Sequence, residues 1–137
     1  MISESPVGQI VQGIVPFMLG GNSEFTISQE PNIQYKYKIK MNEERTLAFV
    51  YMQGKYQGYI RKQDGKYVFY IGNKGNRSFN TQAINGLLWV LNKGDNLPKE
   101  VKVYHHGKCS VCGRKLTDSE SIKRGIGPTC RAKLGLS

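Results

Sequence analysis

The chemistry-bearing residues of this chain crowd its C-terminal end. All three cysteines lie there: Cys109 and Cys112 in the run Cys109-Ser110-Val111-Cys112-Gly113-Arg114, and Cys130 after Gly125-Ile126-Gly127-Pro128-Thr129. His105 and His106 stand just ahead of them. Thiolate and imidazole are the donors a tetrahedral zinc site draws on. Cys-x-x-Cys-Gly is knuckle spacing: a tight turn brings two thiolates onto one ion, and the glycine relieves backbone strain. Pro128 suits the first turn of a helix, which puts Cys130 where free amides and the helix dipole favour a thiolate. A knuckle plus a ligand at a helix start is treble-clef-like. One structural Zn2+ per chain is therefore expected on Cys109, Cys112, Cys130 and a histidine. If Val101 to Tyr104 continue as a strand, His105 shares a face with Val101 and Val103, and His106 with Lys102 and Tyr104. That favours His105 as fourth ligand, with His106 the alternative.

Such a site is closed. Catalytic zinc keeps an open position and usually a nearby carboxylate base. Asp118 and Glu120 are better read as helix caps, and three thiolates make the ion a poor Lewis acid. The chain is read as a non-enzyme. A histidine pair beside a knuckle also resembles metal-dependent nucleases, but the last helix offers no Asn or His for a second ligand set.

The elements that must position these residues follow from periodicity. With 137 residues and 39% hydrophobic content, the chain is read as residues 1–97, a β-meander plus helix, and 98–137, a zinc-binding module. A helix is expected over 6–19, from Val7, Ile10, Val11, Ile14, Val15, Phe17 and Met18, ended by Gly20-Gly21. Strands are expected at 24–28, 33–41, 46–52, 56–62 and 66–71. Residues 33–41 alternate apolar Ile33, Tyr35, Tyr37, Ile39 and Met41 with Gln34, Lys36, Lys38 and Lys40. Asp64-Gly65 is a hairpin signal. Asn80-Thr81 caps a helix bearing Ile84, Leu87, Leu88 and Leu91, ended by Gly94 and packed on the apolar sheet face. A short strand, 101–104, leads into the histidines. Thr117-Asp118-Ser119-Glu120 reads as a capping box before a helix that Gly125 ends. The fold class is α+β: an antiparallel meander of about five strands packed on a helix, with a C-terminal treble-clef-like zinc module.

The formal charge is +10, from 20 Lys and Arg against 10 Asp and Glu. It is uneven: residues 1–35 hold three Glu and no Lys or Arg, so the positive charge lies in the sheet and the C-terminal module. A basic balance favours polyanions, as nucleic acid or nucleoprotein. No long apolar run marks a membrane span, the N-terminal residues lack the basic start of a secretory signal, and paired cysteine spacing suits a reducing compartment. A soluble, cytoplasmic protein is expected.

From Phe17 onward the chain resembles a family of uncharacterised phage and bacterial proteins with a C-terminal domain of unknown function. Its signature is Cys-x-x-Cys-Gly-Arg-x-Leu-Thr, then Ser, then Gly-Ile-Gly-Pro-x-Cys. Here that reads Cys109, Cys112, Gly113, Arg114, Leu116, Thr117, Ser121, Gly125, Ile126, Gly127, Pro128 and Cys130. The pattern tends to carry a His four before the first Cys, which matches His105. Phe17-Met18-Leu19-Gly20-Gly21 and Phe25-Thr26-Ile27 resemble the start of phage members. The resemblance implies a zinc-bearing phage-type protein acting in the host cytoplasm, and it carries no activity. Two functions are expected from these readings. The first is a non-catalytic, anti-CRISPR-like inhibitor that binds a host defence nucleoprotein of the Cas9 type. The alternative is a nucleic-acid-binding accessory protein. The candidate contact residues are Lys36, Lys38, Lys40, Arg61, Lys62, Lys108, Arg114, Lys115, Lys123 and Arg124. Lys66 and Arg131 extend the basic set, and Tyr56, Tyr59, Tyr67 or Tyr70 are available for stacking.

Overall fold

The computed structural model describes residues 9–72 and 80–135. The protein is α+β, built on one antiparallel sheet. Its strands are β1 (Gln9–Ile10), β2 (Asn22–Gln29), β3 (Ile33–Met41), β4 (Ala48–Met52), β5 (Lys55–Gln63), β6 (Lys66–Tyr70) and β7 (Val101–His105). Their order across the sheet is β1-β7-β2-β3-β4-β5-β6. Strands β2 to β6 form the expected meander. Both of its tight hairpins turn through a pair of positive φ angles: 54° and 76° at Gln53 and Gly54, 53° and 80° at Asp64 and Gly65. Those are the angles of a type I′ turn, whose twist matches that of the flanking strands.

Alternation on β3 sorts the two faces of the sheet. Tyr37 and Ile39 are buried, while Lys36 and Lys40 are exposed. The buried face is covered by α2 (Thr81–Lys93), which carries Ala83, Ile84, Leu87, Val90 and Leu91 inward. Asn80 caps that helix by accepting from Ala83 N–H at 3.0 Å. Tyr37 crosses the core to donate its hydroxyl to the Ala83 carbonyl at 2.7 Å. Burial pushes the Tyr37 phenol well above its ordinary value, with Tyr35 adding to the effect. At the outer edge of the sheet, Asn92 of α2 closes the ladder of β6. Its Oδ1 accepts from Tyr67 N–H at 2.9 Å, and its Nδ2 donates to the Tyr67 carbonyl at 3.2 Å. An edge strand presents unpaired backbone groups that invite another chain. Here one amide side chain occupies a residue's worth of them.

The expected helix over 6–19 is reduced to α1 (Ile14–Met18). Val7 lies outside the described residues. Gly13 takes φ 83°, which breaks any helix running through it, and Gln9 and Ile10 pair instead with His105 and Tyr104 of β7. The apolar spacing was real but its cause was different. Val11, just past the short strand and ahead of Gly13, lies on the same core as Ile14, Phe17 and Met18 of α1, while Ile10 of the strand is exposed.

Strand β7 pairs with β2 as well as β1, so the strand ahead of the cysteines is an inner strand of the sheet. Beyond it, residues 107–116 double back. Cys109 N–H donates to the Arg114 carbonyl at 2.8 Å, and Leu116 N–H to the Gly107 carbonyl at 2.9 Å. Two short helices follow, α3 (Ser119–Arg124) and α4 (Pro128–Lys133). Their small core is Cys109, Leu116, Ile126 and Cys130, flanked by Val111, Ile122 and Leu134. Backbone bonds stitch this unit to the sheet side: Asn22 N–H to the Ser110 carbonyl at 2.7 Å, and Gln12 N–H to the Lys123 carbonyl at 2.8 Å.

Candidate metal centre and basic sheet face

The sulfurs of Cys109, Cys112 and Cys130 all lie within 4.8 Å of one another. Tetrahedral Zn–S bonds of about 2.3 Å put sulfurs roughly 3.8 Å apart, so these three can take three corners around one ion. The turn that presents the first two is built as expected: Gly113, at φ 81°, donates its N–H to the Cys109 carbonyl at 2.9 Å. Cys130 enters from the first turn of α4, behind Pro128. Cys109 is buried and Cys112 exposed.

Two backbone N–H groups aim at the Cys109 sulfur, from Val111 at 3.4 Å and Gly127 at 3.3 Å. Burial pushes the Cys109 thiol up. The N–H groups of Cys112, Gly127 and Val111, with the Cys112 thiol, outweigh it and hold this sulfur below the ordinary cysteine value. Cys130 goes the other way, to about 11, raised by burial, then by hydrogen bonds with Cys112 and Cys109 and by their charge. The expected thiolate preference at the helix start is overridden here, first by burial of the sulfur and then by the hydrogen bonds and charge of the neighbouring thiols. A divalent cation reverses that balance by displacing the protons of its ligands.

Among the described residues, no fourth His, Cys, Asp or Glu joins this cluster. The structure puts His105 on the buried face of β7 with Val101 and Val103, as alternation predicts, but that face is the core. The ring is fully buried. Its Nδ1 accepts from Gly107 N–H at 2.9 Å, and its Nε2 donates to the Ile122 carbonyl in a short bond. Burial pushes its pKa down, partly offset by that carbonyl. Both ring nitrogens are therefore bonded to backbone, and here His105 joins β7 to α3 and lies outside the sulfur cluster. His106 is on the opposite face, with Nε2 3.2 Å from Thr26 Oγ1. Asp118 caps α3, accepting from Ser121 N–H at 3.1 Å and Ser121 Oγ–H at 2.7 Å. The cap sits one residue later than a Thr117-to-Glu120 capping box would put it. The hydrogen bonds from Ser121 hold the Asp118 carboxyl below its usual range. A cavity of about 340 Å³ opens beside the sulfurs, lined by Arg114, Lys115, Asp118, Thr129 and Lys133 among others.

The second set of candidate residues divides between surfaces. Lys36, Lys38 and Lys40 stand on the outer face of β3 and border an open groove of about 570 Å³ together with Tyr51. Lys38 pairs with Glu24 of β2 at 3.6 Å, and Lys40 lies 5.9 Å from the centre of the Tyr51 ring. Arg61 shares this face, 5.6 Å from the Tyr70 ring. Lys62 does not: it points to the opposite side, over Tyr67. Lys108 and Lys115 bridge the knuckle hairpin, Lys123 is exposed on α3, and Arg124 is tied to Glu120 at 3.2 Å. Arg131 Nη1 donates to Ser121 Oγ and to the Ile126 carbonyl, both at 2.9 Å, and so braces α3 against α4.

Between the β3 lysines and Arg61 runs a group of partly exposed aromatics that periodicity had not joined. Register pairs Lys40 with Phe49, Lys38 with Tyr51, Phe49 with Tyr59, Tyr51 with Tyr56, and Tyr59 with Tyr70. Tyr56 and Tyr59, three apart, face the same way because the ladder slips between Val50 and Tyr51, leaving Gln57 as an extra residue. Their rings contact in pairs: Tyr51–Tyr56 at 5.5 Å, Phe49–Tyr56 at 6.1 Å, and Tyr59–Tyr70 stacked at 5.5 Å. Tyr67 is absent from this group. Phe49 and Tyr51 had no signal in a run that read as a plain apolar strand; only the bulge and the register reveal them.

The fold and the thiol cluster thus define an α+β protein with a possible metal site on a small C-terminal unit. Residues 102–135, from β7 through α4, match the model of a family described as a family of unknown function, DUF6011. No curated protein and no solved structure matches the chain. No helix among the described residues is long and apolar enough to cross a membrane.

Proposed function

We propose that the protein binds single-stranded nucleic acid across the outer face of its sheet, and that a zinc ion on Cys109, Cys112 and Cys130 holds the treble-clef-like module beside that face without catalysing a reaction. The observation carrying this is the row Phe49, Tyr51, Tyr56, Tyr59 and Tyr70, left partly exposed and flanked by Lys36, Lys38, Lys40 and Arg61. Aromatic rings within a positive surface are what unpaired bases and their phosphates recognise: each stacked base is worth about 1–3 kcal/mol, and every base has a face to stack. A duplex hides those faces, so the platform favours single strands. Cross-strand aromatic pairs also stabilise sheets, but that role needs no cations around them. An inhibitor of a Cas9-type nucleoprotein requires a surface selective for a protein, and none of the geometry singles one out.

Zinc is proposed because soft thiolates select it among common divalent ions and a tetrahedral set of sulfurs suits it. When bound, it supplies a fixed cross-link among the knuckle, Cys130 and α4. The chain's own residues do the binding. Fluorescence anisotropy with a labelled 12-nucleotide oligo-dT tests this reading. The expected result is binding that weakens with salt, with a log–log slope of about −2 to −3 for three or four neutralised phosphates. A Lys38→Glu, Lys40→Glu, Arg61→Glu triple variant should lose it with an unchanged circular dichroism spectrum. No anisotropy change at low salt, or equal binding by the triple variant, overturns it.

A further inference from the structure

We infer that the outer sheet face holds two bases at separate stations and splays them apart, so that its ligand is an unstacked pyrimidine run and not a self-stacked purine strand. This rests on the nucleic-acid reading above. The outward rings fall into two groups by their contacts. Phe49 and Tyr51 of β4 meet Tyr56 of β5, with ring centres 6.1 and 5.5 Å from it. Tyr59 of β5 stacks on Tyr70 of β6 at 5.5 Å, their planes 21° apart. Each group holds its own cation. Lys40 Nζ is 5.9 Å from the centre of the Tyr51 ring, and the Arg61 guanidinium is 5.6 Å from that of Tyr70. The second group is also braced from the side, because Tyr70 donates its hydroxyl to Gln63 Oε1. Each station therefore offers a ring surface for a base and a positive group for the phosphate beside it.

Register fixes how far apart the stations lie. The first centres on the cross-strand pair Tyr51 and Tyr56, the second on the pair Tyr59 and Tyr70. They differ by one strand spacing across the sheet. Along it they differ by two residues on β4, from Tyr51 to Phe49, the partner of Tyr59, and by three on β5, where Gln57 is the extra residue. With strands about 4.8 Å apart and a rise of about 3.3 Å per residue, the offset is roughly 8–11 Å. In a stacked strand, successive bases are only about 3.4 Å apart and cover each other's faces. One strand therefore fills both stations only with its bases drawn off each other. Purines stack strongly on their neighbours and resist this; pyrimidines stack weakly and give way. The bulge is what makes the first station: on an evenly alternating strand Tyr56, three residues before Tyr59, would face the core.

Anisotropy with labelled oligo-dT and oligo-dA of equal length, at one salt concentration and on the full chain, tests it. The two strands carry the same phosphates, so the electrostatic contribution cancels and the difference reports the bases. Oligo-dT should bind about tenfold more tightly, the cost of parting one stacked step. Tyr51→Ala and Tyr70→Ala each remove one station. Each should weaken oligo-dT binding and bring the dT-to-dA ratio close to unity, because a single station needs no splaying. A second readout needs no variant. An adjacent pair of 2-aminopurines within oligo-dT gives exciton circular dichroism while stacked, and that signal should vanish on binding. Oligo-U and oligo-A separate RNA from DNA as the source, and the pyrimidine preference is expected in whichever sugar binds more tightly. Equal or tighter binding of the purine strand, or an exciton signal that survives saturation, overturns the inference and leaves nucleic-acid binding standing. Absence of binding by any of these strands would instead sink the nucleic-acid reading itself.

Discussion

Gly125 shows how narrowly single residues are constrained at the junction between sheet and module. It ends α3 at φ 69°, and a side chain there would run into the Phe17 ring. Both effects oppose any Cβ: the left-handed backbone and the crowded core. Gly125→Ala should lower stability by about 1–3 kcal/mol, read as a reduced urea midpoint at unchanged slope. His105, 3.3 Å from the same virtual Cβ, adds a pH dependence. Its folded pKa is pushed down by burial, so the unfolded chain binds the proton more readily. The stability it contributes is complete above about pH 6.5 and fades as pH falls below that value. Denaturant midpoints at pH 7.5 and 5.5 should therefore diverge more in the native protein than in His105→Gln. Equal divergence in the two would show that the buried ring does not titrate as described.

At the scale of elements, α2 and the sheet depend on each other. Neither can bury its apolar face alone, and Leu87 sits fully enclosed between them. Leu87→Ala removes the packed side chain and leaves a cavity, a change that costs about 2–5 kcal/mol. Thermal unfolding followed at 222 nm should show the whole sheet-helix unit melting earlier in one transition; a helix that melts by itself would mean the two are not one cooperative layer. The helix was legible from its cap at Asn80, its apolar spacing and Gly94, because those signals are local. The five-strand meander was legible for the same reason. The helix expected at 6–19 is shorter because helical spacing over a short window also arises when an extended residue, Val11, and a helix meet the same core from either side of a left-handed glycine.

For the molecule as a whole, the small core around Cys109, Leu116, Ile126 and Cys130 is too slight to fold by burial alone. On the proposal that a metal sits on the three sulfurs, it would supply much of that unit's folding free energy. Chelation with EDTA should raise amide hydrogen exchange across residues 107–134 while the protection of β2 to β5 persists. Uniform loss of protection would mean that the sheet also depends on the metal; no change would mean the module stands without one.

The sequence by itself determined what is local or periodic: the knuckle turn, Cys130 behind Pro128, the cap of α2, the alternating faces of β3, and the basic charge. It also assigned His105 to the right face of its strand. Only the tertiary structure decided what that face meets. Alternation tells which side chains lie together but not whether they meet a metal or a core, and here β7 is flanked by β1 and β2, so His105 points into packed side chains. The aromatic platform was hidden for a related reason. It is assembled by register across three neighbouring strands and by one extra residue at Gln57. Register comes from pairing between distant segments, which no spacing within a single strand records.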